Sequence, residues 1–245
     1  MHVEYHKWYS PSLGHDMELK VYGHAGKPVI VFPSSGGSYH EYEDFGMVEV
    51  CRPFIDDGRI TLFTPGSADT QSWMNEHAHP AQRAARHNDY DRYIVRELAP
   101  LAREMRGHHQ KCLGTGCSLG AYHSANFFFR HPDVFDACIA LSGIYRLDEF
   151  IGDYMDENVY FNTPLAYLPG LDDPWFLEQY RQSKIVICVG QGAWEEPMLS
   201  HTRELGAILE RKGVPAWIDI WGHDVNHDWP WWRRQMPFFL GHVLP

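Results

Sequence analysis

Apolar positions along this chain fall into two alternating kinds of segment. Residues 27–33, 59–65, 137–143, 183–190 and 214–221 are short runs dominated by apolar residues with no polar face. Runs of that length and character predict strands buried on both sides. Between them, 42–57, 80–106, 121–131, 198–212 and 231–244 carry apolar residues at helical spacing. In 80–106, for example, Tyr90, Tyr93, Ile94, Leu98 and Leu101 share one stripe, and Arg and Asp fill the other face. Pro132 and Gly213 mark two helix ends. The opening segments 3–9 and 17–23 alternate around a turn at 11–14 and predict an antiparallel pair.

Strands alternating with helices predict an α/β fold, a mainly parallel, doubly wound sheet with helices on both faces. One domain is expected over 1–245. Residues 145–182 break the rhythm with prolines, glycines and scattered aromatics, among them Tyr154, Phe161, Tyr167 and Trp175. That stretch predicts a small cap-like insertion.

The centre of the pattern carries the first candidate chemistry. Gly116-Cys117-Ser118-Leu119-Gly120 reads G-x-S-x-G between a predicted strand and the helix at 121–131. Strand, sharp turn and helix are the setting of a nucleophile elbow. A Cβ at either glycine would meet neighbouring backbone in so tight a turn. Ser34-Ser35-Gly36-Gly37 directly follows strand 27–33. A Gly/Ser loop there is expected to give an oxyanion-hole N–H, with Ser35 the candidate donor beside Leu119. Loop 66–80 carries Trp73, expected either to wall a substrate pocket or to cover the core.

A serine hydroxyl needs an imidazole to take its proton, and the imidazole needs a carboxylate to orient it. The expected chain order is Ser, acid, His, each on a loop at the carboxyl end of a strand. Loop 191–197 offers Glu195 and Glu196. Pro197 suits the first turn of a helix, where Glu196 would be an N-terminal acid, so Glu195 is preferred and Glu196 is the alternative. Loop 222–232 offers His223 and His227, and spacing alone does not choose between them.

Composition narrows the partners. A chain of 245 residues with 44% hydrophobic and 22% charged residues suits one globular domain with a sizeable core. Its net charge of −11 disfavours nucleic acid and anionic membranes, and no stretch reaches the length of a membrane span. The first residues have no basic region followed by an apolar run, so no signal peptide is expected. Five widely spaced cysteines read as buried thiols rather than a disulfide framework, which points to the cytoplasm. The sixteen histidines, including His77, His79, His108 and His109, lack metal-ligand spacing, so no metal or other cofactor is expected.

Three segments together resemble one family. Gly116-Cys117-Ser118-Leu119-Gly120, Gln191-Gly192-Ala193-Trp194-Glu195 and His227-Asp228-Trp229-Pro230-Trp231-Trp232 are similar to motifs of the putative-esterase branch of the α/β-hydrolases. That branch includes S-formylglutathione hydrolase (esterase D) and the mycolyltransferase antigen 85 proteins. In the branch the catalytic His begins an H-x-W-x-x-W segment, so the resemblance selects His227 over His223. Its Q-G-x-x-D loop places the acid at Glu195, with Glu standing for Asp. The resemblance implies an α/β-hydrolase fold and a serine esterase acting through an acyl-enzyme on Ser118. Segments 32–37 and 72–73 depart from the esterase D loop, which points away from a glutathione thioester. The expected partner is a small or medium soluble carboxylic ester. An acyltransferase would use the same acyl-enzyme, and a non-catalytic binding protein on this fold is the alternative outside enzymes. A homo-oligomer is left open.

Overall fold

The structure is a computed structural model that describes residues 1–107 and 110–244. His108 and His109, considered above as metal ligands, lie outside the described residues. Among the described residues, eight strands form one sheet. They are β1 (Val3–Ser10), β2 (His15–Tyr22), β3 (Lys27–Phe32), β4 (Ile60–Pro65), β5 (Cys112–Cys117), β6 (Phe135–Leu141), β7 (Lys184–Val189) and β8 (Trp217–Ile220). Their order is β1-β2-β4-β3-β5-β6-β7-β8. The β1–β2 hairpin joins β4 antiparallel, and every pairing from β4 to β8 is parallel.

The continuous apolar runs follow from burial on two faces. In β3, Val29 and Val31 enter one core with Leu62, Ile139 and Val186. Ile30 and Phe32 point the other way, into a core with Phe63, Ala140 and Ile187. Successive side chains of a strand alternate faces, so neither set could be polar. Helices α1 (Met47–Asp56) and α7 (Trp229–Val243) cover the first face. The second is covered by α2 (Pro80–Tyr93), α3 (Ala99–Arg106), α4 (Leu119–Arg130), α5 (Pro174–Arg181) and α6 (Glu196–Arg211).

Three predicted elements change shape. The helix expected over 80–106 is α2 and α3 joined by a π-helical turn, Ile94–Leu98. Pro100 has no N–H and its ring would strike the carbonyl of Arg96, and a widened turn absorbs that conflict. The helix expected over 42–57 is interrupted at Gly46, whose φ of +72° ends a short turn before α1 begins. Strand β8 starts only at Trp217, because Pro215 offers no N–H to a ladder and β8 lies at the sheet edge.

Residues 145–182 form short helices, Asp148–Ile151, Glu157–Phe161 and Pro164–Tyr167, followed by α5. They are fastened to the second face. Tyr122 on α4 donates to the carbonyl of Asn162 at 2.8 Å, and Arg83 on α2 donates to that of Phe150 at 2.7 Å. Tyr167 and Tyr180 are buried in the core, whereas Phe161 and Trp175 are exposed. All five cysteines are buried and unbridged, and burial pushes the thiols of Cys51, Cys112 and Cys138 up to about 12. No helix among the described residues is long and apolar enough to cross a membrane.

Candidate active site

Ser118 sits between β5 and α4 with φ +57° and ψ −123°, a backbone shape that residues with a side chain rarely adopt. Its N–H donates to the carbonyl of Leu141 at 2.9 Å. The two flanking glycines make the turn sterically feasible. A Cβ on Gly116 would lie 2.4 Å from the carbonyl carbon of Gly120, and one on Gly120 would lie 2.2 Å from the carbonyl oxygen of Phe32. The start of α4 is thereby pressed against the end of β3, just ahead of the loop at 34–37. Gly120→Ala is expected to cost about 3 kcal/mol through this backbone clash. For a chain of this size that is roughly a 6–12 °C fall in Tm, to be read by thermal unfolding. An unchanged Tm would contradict the close approach.

In the loop after β3, three of the four N–H groups are taken. Ser34 donates to Oε2 of Glu41 (2.8 Å), Gly36 to Oδ2 of Asp69 (3.2 Å) and Gly37 to the carbonyl of Ser34 (2.8 Å). Among the described residues the Ser35 N–H has no acceptor. The Leu119 N–H belongs to the first turn of α4, where helix N–H groups lack an intrahelical acceptor.

Loops after β7 and β8 are laced together. Gly192 donates to the carbonyl of Val225 (2.8 Å), Ala193 to Oδ1 of Asn226 (2.8 Å), and His227 to the carbonyl of Ala193 (3.0 Å). Gly190 and Gly192 permit the contact, because Cβ atoms there would lie 2.1 Å from the Val225 oxygen and 2.2 Å from Asn226 Oδ1. The result aims His227 between two groups. Its Nε2 is 2.9 Å from Ser118 Oγ, and its Nδ1 is 3.4 Å from Glu195 Oε2. Glu195 is 1% exposed, at the N-cap of α6. The preceding Trp194 turns outward, 83% exposed with φ +68°. Glu196 and His223 are exposed and bonded to neither Ser118 nor His227. Of the candidate pairs, the fold therefore brings Glu195 and His227 to Ser118.

Two further side chains complete the arrangement. Ser142, just after β6 with φ +56°, donates to Oε1 of Glu195 at 2.6 Å and accepts from Trp232 Nε1 at 3.0 Å. The ring of Trp232 also lies edge-on to His227, with centroids 4.9 Å apart. Trp232 lies inside the H-x-W-x-x-W segment, whereas Ser142 belongs to no motif. The available signal was its place at the carboxyl end of the strand beside the elbow.

Of the two readings of Trp73, the structure favours the one in which it covers the core. It does not wall an accessible pocket, because it is fully buried, its ring packed 4.9 Å from that of His87. Its neighbour Met74 is partly exposed and lies beside Gly36. Cys117, adjacent to Ser118, is fully buried against the Tyr42 hydroxyl, and burial holds its thiol well above the ordinary range.

A hydroxyl 2.9 Å from an imidazole nitrogen, with a buried carboxylate on the other side of the ring, can lose its proton as it attacks a carbon centre. N–H groups without acceptors can hold the negative charge that attack creates. Among the described residues no group of three or more His, Cys, Asp or Glu could hold a metal ion.

The model of the family described as "Putative esterase" matches residues 10–242. The chain belongs to the putative esterase family. The esterase is thus a hydrolase acting on ester bonds, and its sheet order is accompanied by the fold of its structural neighbours. A ferulic acid esterase is similar over 99% of this chain and 98% of its own, with a TM-score of 0.77 at 16% identity. The fluorophosphonate-binding serine hydrolase F of Staphylococcus aureus, solved with substrate bound, is similar over 100% and 98%, with a TM-score of 0.73 at 16% identity. An S-formylglutathione hydrolase of Agrobacterium tumefaciens gives a TM-score of 0.74 at 14% identity, over 99% of this chain and 95% of its own. These likenesses establish the α/β-hydrolase fold for the esterase. No curated protein matches its sequence.

Proposed function

We propose that the esterase hydrolyses a small or medium soluble carboxylic ester through an acyl-enzyme on Ser118. The observation that carries this reading is His227 Nε2 at 2.9 Å from Ser118 Oγ, with Nδ1 turned to the buried Glu195. Ser118 Oγ attacks the ester carbonyl carbon while its proton passes to His227 Nε2. The oxyanion forms against the N–H groups of Leu119 and Ser35. Collapse expels the alcohol, which takes the proton from His227, and leaves the acyl group on Ser118. Water then attacks the acyl carbon, His227 takes its proton and returns it to Ser118 Oγ, and the acid leaves.

Glu195 holds the imidazole in the tautomer with the proton on Nδ1 and stabilises the imidazolium, while Ser142 keeps the carboxylate facing it. The separation of 3.4 Å is long for a charge-assisted bond. Such bonds are often long in free enzymes and tighten in the reacting complex. Glu195→Gln is expected to lower kcat by about 10⁴-fold, because the amide no longer matches the imidazolium charge. Glu196→Gln should change kcat by less than about twofold, since an exposed charge at a helix start contributes little. The two variants are compared by steady-state kinetics on a p-nitrophenyl ester, and the reverse order would move the acid by one residue.

Intact-mass spectrometry after exposure to a fluorophosphonate tests the whole reading. One stoichiometric adduct is expected on the wild type and none on Ser118→Ala. A folded wild type that forms no adduct would defeat the proposal.

A further inference from the structure

The loop proposed to carry the second oxyanion donor is held by a buried pair outside the Ser118–His227–Glu195 set. Gly36 N–H donates to Oδ2 of Asp69, and Oδ1 of the same carboxylate lies 2.8 Å from Nε2 of His123. Asp69 and His123 are both fully buried. His123 is on α4, enclosed by the rings of Phe32, His87, Tyr122 and Phe127. A carboxylate cut off from water needs hydrogen bonds to be stable. Here one reaches the elbow helix and another reaches the oxyanion loop. The main-chain carbonyl of Asp69 also accepts from Ser72 (3.0 Å) and Met74 (2.9 Å), which seats Met74 beside Gly36.

We infer that Asp69 and His123 are positioning residues that set the separation of the two oxyanion donors. Helix α4 carries the Leu119 N–H at its start and His123 four residues later. The run His123–Asp69–Gly36 ties the Ser35 N–H to that same helix, so both donors are referenced to one rigid element. This rests on the oxyanion assignment proposed above. On this side the loop is held by the Asp69 bond and by the Ser67 hydroxyl, which donates to the carbonyl of Gly37 at 3.0 Å, while Ser35 itself is exposed and Gly36 takes a φ of +66°. Glu41 anchors the other side through both the N–H and the hydroxyl of Ser34. Donors stabilise the oxyanion only when both reach where it forms, at about 2.7–3.1 Å.

The test compares Asp69→Ala and Asp69→Asn with wild type. It measures kcat and KM on a p-nitrophenyl ester, per active site titrated with fluorophosphonate. It also measures the inhibition constant of an alkylboronic acid, which forms a tetrahedral adduct on the serine. Asp69→Ala is expected to lower kcat about 10- to 100-fold, as donor misplacement does, with KM nearly unchanged. Boronate affinity should fall in parallel. Asp69→Asn should recover most of both, because its amide oxygen still accepts from Gly36. Wild-type kcat per titrated site in Asp69→Ala overturns the inference, as does a loss that boronate affinity does not follow. A loss confined to the titrated fraction would be lost folded protein and equally overturns it. Turnover retained in Ser118→Ala would instead remove the active-site assignment itself, and the two failures are thereby told apart.

Discussion

Replacing Ser118 by alanine is expected to lower ester turnover by about 10⁵-fold or more, the scale seen when a nucleophile of such a set is removed. No neighbouring group can take its place. The Cys117 thiol is buried and held far above its ordinary titration range by that burial. Ser142 donates its hydroxyl to Glu195 and receives Trp232, so it is committed to holding the carboxylate. The fold should survive, because alanine has the same backbone limits as serine at φ +57° and the variant loses only one side-chain hydrogen bond. A small residue of activity above the uncatalysed rate would come from the oxyanion donors and binding alone. Turnover near the wild-type rate in the purified variant would sink the acyl-enzyme reading.

His227→Ala should be nearly as damaging, again by about 10⁵-fold, because a serine hydroxyl without a base is a weak nucleophile. His223→Ala is the control. It lies four residues earlier on the same loop and is exposed, so a change of less than about threefold is expected, as for most surface substitutions. The double variant Ser118→Ala/His227→Ala should be no slower than either single one, since the two act as a unit. Measuring the three on one ester settles the matter. Comparable losses in His223→Ala and His227→Ala would mean that the loop, and not the imidazole at 2.9 Å, carries the effect.

Most of the architecture is legible in the sequence. Strand β3 announced its two-sided burial through unbroken apolar residues, and the G-x-S-x-G turn announced its steric limits through its glycines. Local pattern left a choice open, or was overridden, where a long-range contact or a backbone detail decides. Trp73 occupies a loop that allows either a pocket wall or a core cover, and its indole is buried against His87 and Tyr122. The helix over 80–106 kept its stripe but widened at Ile94–Leu98, ahead of Pro100. Glu195 and Glu196 are adjacent carboxylates on one loop, and only the direction of the chain at Trp194 buries the first and exposes the second.

The sequence by itself determined the order of strands and helices, the elbow, and the loops on which an acid and a base would lie. Periodicity, turn residues and steric limits act over a few positions, so they can be read from neighbours. Tertiary structure alone decided which groups meet. Ser118 and His227 are 109 positions apart, Ser142 and Glu195 are 53 apart, and Asp69 and His123 are 54 apart. Their distances depend on how the ends of β3, β4, β5, β6, β7 and β8 stack in the parallel part of one sheet. No local pattern encodes that spacing, because it is set by packing on both faces of the sheet at once.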